Sequence, residues 1–207
     1  MMMMALALAA TGIQLAQPKG HPERWITDSD YPATAKSRGA VGQTRFRIAV
    51  SPEGKPVLCD IVASSGHSDL DQQTCALMMH RSEFSPAKTA DGQPVYATFK
   101  SRAIWRLPSR PRPAVEQIAD LALTVATLPK SVKNPANVLV ALLVKADGTI
   151  AECKPSENPN DVETVARLGK VACQQAVALL KPPAMLNAQK EPILSVQGFM
   201  VSFSTAP

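Results

Sequence analysis

Apolar and polar positions alternate with a period of two over residues 43–51. Thr44, Phe46, Ile48 and Val50 interleave with Arg45, Arg47, Ala49 and Ser51. Such alternation predicts a strand buried on one face only. Pro52-Glu53-Gly54-Lys55 reads as a turn, and a return strand from Pro56 to Ala63 places Val57, Cys59 and Ile61 on one face. Ser64-Ser65-Gly66 stops it. The period then changes to that of a helix, with Leu70, Thr74, Leu77 and Met78 on one side. Ser68 is the expected cap and Asp71 the capping-box partner three residues on. Ser85-Pro86 ends this helix, Asp91-Gly92 marks a turn, and a long strand follows from Pro94 to Trp105. Its inward face carries Val95, Ala97, Phe99, Ala103 and Trp105. Tyr31-Pro32-Ala33-Thr34-Ala35 reads as a short helix start ahead of this β-β-α-β unit.

Arg106-Leu-Pro-Ser-Arg-Pro-Arg-Pro113 suits neither helix nor strand and reads as a linker. A helix is expected from Ala114 to Leu128. Beyond it the pattern repeats. At a spacing of 94 residues Val50, Gly54 and Cys59 fall on Val144, Gly148 and Cys153. At a spacing of 98, Cys75 falls on Cys173, Pro94-Val95 on Pro192-Ile193 and Trp105 on Phe203. The change of spacing is an insertion near Ser156–Asp161, where loops tolerate extra residues. The fold class expected is α+β: two tandem β-β-α-β units, each a small antiparallel sheet backed by a helix. The divisions are 1–20 as signal peptide or tail, 21–107 as the first unit, 108–113 as linker and 114–207 as the second unit.

Composition narrows the classes of function. The 207 residues carry 22 Lys+Arg against 17 Asp+Glu, a net charge of +5 that the two halves share almost equally. Without a dense basic stripe, and with aromatics at only 4%, no nucleic-acid partner is expected. Met1–Ala10 has the length of a signal-peptide core, with Ala7-Leu8-Ala9 or Ala10-Thr11-Gly12 as cleavage positions. It lacks a positive start, and a disordered tail is the alternative. After it no apolar run approaches the ~20 residues needed to span a bilayer. The longest, Val138–Val144, is a buried strand.

Each unit has one Cys on its second strand and one in its helix. The repeat selects Cys59–Cys75 and Cys153–Cys173 among the three possible pairings, because each helix packs on its own hairpin. Four buried free thiols are the alternative. Paired cysteines fit an oxidising compartment. No C-x-x-C is present and His does not repeat with Cys, so neither a zinc site nor another metal is expected, and no cofactor.

Several features resemble a known family. Trp25, Tyr31-Pro32, Ala35 and Gly39 precede the first strand. Gly42, Phe46, Glu53-Gly54, Ser64-Ser65-Gly66, Leu70-Asp71, Phe84-x-Pro86-Ala87, Gly92-x-Pro94 and Trp105 follow in order. Over residues 25–107 this resembles the C-terminal domain of the TonB energy-transducer family. The second unit keeps the hairpin, the Pro-Ala pair and the last strand, and resembles a degenerate copy. The resemblance implies a sheet whose final strand lies at the edge and captures an extended segment, the TonB box of outer-membrane receptors, by strand addition. The edge so implied comprises Val95, Tyr96, Ala97, Thr98, Phe99, Lys100 and Arg102, with Pro192–Phe203 as its counterpart. The expected protein is thus a periplasmic binding module linked to TonB-dependent transport, without a membrane span in the mature chain. Its partner is a receptor segment or another periplasmic protein, and a structural envelope protein that binds cell wall is the alternative.

Arg45, Arg47, Lys100 and Arg102 share the outward parity of their strands. They serve solubility, or attract acidic peptides or anionic wall polymer. His67 and His80 are read as solvent-facing, Asp69 and Asp71 as helix-start charges, and Ser64-Ser65-Gly66 as strand-end geometry. No nucleophile, acid–base pair or phosphate loop is evident, so no enzyme is expected.

Overall fold

A computed structural model describes residues 12–108, 110–111, 113–114, 119–157, 161–187 and 189–206. The elements in chain order are β1 (Gln17–Pro18), α1 (Ala33–Ser37), β2 (Gly42–Val50), β3 (Pro56–Ala63), α2 (Ser68–Arg81), β4 (Phe84–Ser85), β5 (Ala87–Lys88) and β6 (Pro94–Trp105). They continue with β7 (Leu121–Val125), β8 (Ala136–Val144), β9 (Ile150–Pro155), α3 (Val162–Leu179), β10 (Met185–Leu186), β11 (Pro192–Ile193) and β12 (Ser195–Thr205). Both long β-β-α-β runs form, and the alternation over 43–51 lies on β2 as expected.

The two runs share one sheet, in the order β3-β2-β6-β12-β8-β9. Within each run the pairing is antiparallel. The seam is parallel and short: Ser195, Val196 and Gln197 lie against Tyr96, Ala97 and Thr98. Register at that seam decides which face each helix covers. Val196 stands beside Ala97 and joins the core under α2. Gln197 stands beside Thr98 and, across β8, beside Leu142, whose face is packed by α3. The period-two alternation therefore puts α2 and α3 on opposite faces of the sheet.

Each run leaves its other face to be covered by something else. Over the second run the amino-terminal stretch does this. Ile13 and Ala16 are buried in the first core, and Leu15 approaches Gly198 and Leu139. Gln14 bridges to Lys88, and β1 pairs with β4. Residues 12–18 are thus packed, and the expected tail over 1–20 is shorter than drawn. The apolar block Met1–Ala10 lies outside the described residues. On the first run the corresponding face, with Arg45, Arg47, Lys100 and Arg102, stays uncovered.

Three further expectations change. The helix expected over 114–128 is strand β7 at Leu121–Val125, while 115–118 lie outside the described residues. Leu121, Leu123 and Val125 are half-buried against the second core, because β7 finds a free edge on β12. The counterpart edge Pro192–Phe203 is interior: β12 has β8 on one side, and β6 then β7 on the other. Ser68 does not cap α2. His67 takes the cap position, and the Asp71 carboxylate turns away from the helix start. Cys59–Cys75 and Cys153–Cys173 are bonded, each with Cα atoms 5.6 Å apart.

Candidate peptide-binding edge

The local sequence fixes β6 through a dense set of contacts in the first run. Asp71 is buried and accepts from Thr44 Oγ1 (2.8 Å), Ser64 Oγ (2.5 Å) and the Ser65 N–H (3.0 Å). Burial pushes its carboxyl up, and these donors outweigh that and hold it below its ordinary value. The Ser-Ser-Gly segment thus ties the end of β3 to the start of α2. Trp105 Nε1 donates to Thr74 Oγ1 at 3.0 Å, and Tyr31 packs edge-on against the Trp105 ring. The Tyr31 hydroxyl donates to the Ala40 carbonyl. Arg81 grips Asp30 through two bonds of 2.7 Å, and that hydrogen bonding pulls the Asp30 carboxyl down to about 2. Phe84 stacks between Trp25 and Phe99.

One side of β6 is paired with β2 from Ala97 to Trp105. At its start Pro94 and Val95 pair with β5, and Tyr96, Ala97 and Thr98 pair with β12. Four of the expected edge residues, Val95, Tyr96, Ala97 and Thr98, therefore already have strand partners. Beyond Thr98 the two strands part. Among the described residues no strand pairs with Phe99–Trp105 on the side away from β2, so Phe99, Lys100 and Arg102 lie on an open stretch. Sequence reasoning could not place this limit, because β12 reaches β6 from almost 100 residues away.

The parting of the strands makes a fork. It opens as a cleft of about 640 Å³, lined by Thr98–Arg102 on one wall and Gly198 and Met200 on the other. Leu15–Pro18 close it on one face of the sheet. On the other, register sets Arg45 opposite Arg102 and Arg47 opposite Lys100. The expected basic face thus exists and borders the cleft. Arg47 pairs with Asp60 on β3 at 2.7 Å. Asp120 spans the head of the fork: it accepts from Lys100 Nζ at 2.7 Å and from the Met200 N–H at 2.8 Å. Lys100 also lies 4.1 Å above the Phe199 ring. Thr98, nine-tenths buried, has a hydroxyl with no partner among the described residues.

The remaining candidates are structural. Asp69 pairs with Arg38 at 2.6 Å, and that bond draws its carboxyl to about 2. His80 is exposed and His67 half-buried. Among the described residues no group of three His, Cys, Asp or Glu side chains is placed to hold a metal. None of the helices there is long and apolar enough to cross a membrane.

An α+β sheet with one strand open over half its length is the class of module these features define. Residues 27–107, which hold β6 and the packing that fixes it, match the family model for the Gram-negative bacterial TonB protein C-terminal region. The first run is therefore a TonB-like module. No curated protein matches the chain.

Proposed function

We propose that the chain is a non-enzymatic, periplasmic TonB-like module that binds extended segments of outer-membrane proteins by strand addition at Phe99–Trp105, in support of TonB-dependent transport. The observation that carries this reading is the open stretch of β6. Alternate N–H and C=O groups of an unpaired strand are free to form a ladder with a guest backbone, and their burial without partners is costly. The fixed half of β6 holds that edge in place, which lowers the ordering cost of binding. The second run is a degenerate copy in this reading. Its last strand serves as a wall of the fork rather than as a second receptor edge.

A structural envelope role has one observation in its favour: β12 covers Tyr96–Thr98, as expected of a module whose edge is satisfied internally. Calorimetry with TonB-box peptides separates the two. The neighbouring variants Lys100→Pro and Ser101→Pro sharpen it, because only one of two adjacent N–H groups points to the open side. Strand addition predicts binding by the wild-type chain and its loss in a variant that still folds. Absence of binding by the wild-type chain, or equal binding by both folded variants, leaves the structural role.

A further inference from the structure

We propose that the fork accepts the end of a chain: a guest strand running antiparallel to β6, with its terminal carboxylate at the head of the cleft beside Thr98 and Lys100. This rests on the strand-addition reading and adds to it a direction and a terminus. Three observations carry it.

The first is a stop. Ser195, Val196 and Gln197 already hold the ladder positions of Tyr96, Ala97 and Thr98. A guest laid along Phe99–Trp105 meets β12 at the head of the fork, so it ends there or leaves the sheet. An internal segment pays for that exit by losing ladder bonds, whereas a chain end loses nothing.

The second is polarity. β12 runs parallel to β6, and β7 runs parallel to β12. All three strands therefore point away from the head of the fork. A guest antiparallel to them arrives with its carboxyl end, and a parallel guest arrives with its amino end. Antiparallel pairing is also the slightly more stable of the two.

The third is charge. Arg45, Arg47, Lys100 and Arg102 lie on one face at the head, against the carboxylates of Asp60 and Asp120. Four cations against two anions attract a carboxylate and repel an ammonium. Asp120 shows that the head suits such a group: one of its oxygens takes the Lys100 ammonium, and the other a backbone N–H. The Thr98 hydroxyl, buried and unpartnered, lines the same end of the cleft, and a carboxylate placed there supplies the acceptor it lacks.

The test uses the full chain and N-acetylated heptapeptides of alternating Val and Thr, matched to the seven positions from Phe99 to Trp105. Calorimetry compares the free acid, its C-terminal amide, and a free acid extended by three residues past the same end. The free acid should bind at least about tenfold more tightly than either of the others, and Asp120→Asn should tighten the free acid while leaving the amide unchanged. The extended acid controls for general attraction to a basic protein, since it keeps the charge and moves it beyond the head. Equal affinity of the free and extended acids overturns the preference for a chain end and leaves strand addition standing. Tighter binding of a heptapeptide with a free amino end and an amidated carboxyl end overturns the direction. Binding by none of the peptides overturns this inference together with the strand-addition reading.

Discussion

The two β-β-α-β runs of this chain are close in backbone detail and opposite in how they end. In both hairpins the pairing shifts at the same place, between Ala49 and Val50 and between Leu143 and Val144. The turns match bond for bond: Ser51 N–H donates to Lys55 O as Lys145 N–H donates to Thr149 O. Gly54 and Gly148 take left-handed φ values of 77° and 82° there. Before the last strands, Thr89 pairs with Gln93 as Asn187 does with Glu191, and Lys190 adopts the left-handed φ that Gly92 has in the first run. The helices bury corresponding positions, Leu70 and Leu168, Thr74 and Ala172, Met78 and Ala176. Yet β6 is open beyond Thr98, whereas β12 is closed by β7 through Thr205. One added segment, Leu121–Val125, separates a strand that can take a guest from a strand that is only a wall.

The largest expected break in this comparison is at Asp71, whose counterpart in the second helix is Gly169. Asp71→Ala leaves Thr44, Ser64 and the Ser65 N–H without their acceptor. It should cost about 3–5 kcal/mol in chemical denaturation, with Asp71→Asn in between because one acceptor oxygen remains. Equal stability of wild type and Asp71→Ala would show that this cluster does not hold the first run together.

The disulfides should behave alike in the two runs. Replacing Cys59 and Cys75 by Ser should cost about 3 kcal/mol, and replacing Cys153 and Cys173 about the same, since the sequence separations are 16 and 20. Denaturation curves of the two double variants should nearly superimpose. A marked difference would mean that the matched geometry hides unequal packing.

Acid should act on the first run more than on the second. Asp30 and Asp69 have carboxyls near 2 against an ordinary 3.8, held there by hydrogen bonds from Arg81 and Arg38. A carboxyl depressed in the folded state stabilises fully above its unfolded value and loses that contribution as pH falls through the folded one. Stability should therefore drop between about pH 4 and pH 2, and Asp30→Asn should flatten part of that slope. Thermal unfolding followed across this range checks it.

Much of this was legible along the chain. β2, β3 and β6 follow from period-two alternation bounded by turn residues, and the cysteine pairing follows from the repeat. What escaped depends on partners far away in sequence. Leu121 and Val125 are spaced as on a helix, while Leu121, Leu123 and Val125 also alternate; the free edge of β12 decides for strand. Asp71 stands at capping-box spacing, but the donors of Thr44 and Ser64 compete for it and win. The limit of the open edge rests on a three-residue parallel seam, too short to leave a pattern of its own. The opposed helices follow from the register of that seam.

The central claim is that Phe99–Trp105 captures a guest backbone. Hydrogen exchange on the full chain, with and without a TonB-box peptide at saturating concentration, reads it directly. The account predicts that amides within Phe99–Trp105 slow on binding while those of Val201–Thr205, already paired with β7, do not change. Slowing confined to the outer strands β3 or β9, or no change in Phe99–Trp105 with peptide bound, would contradict it.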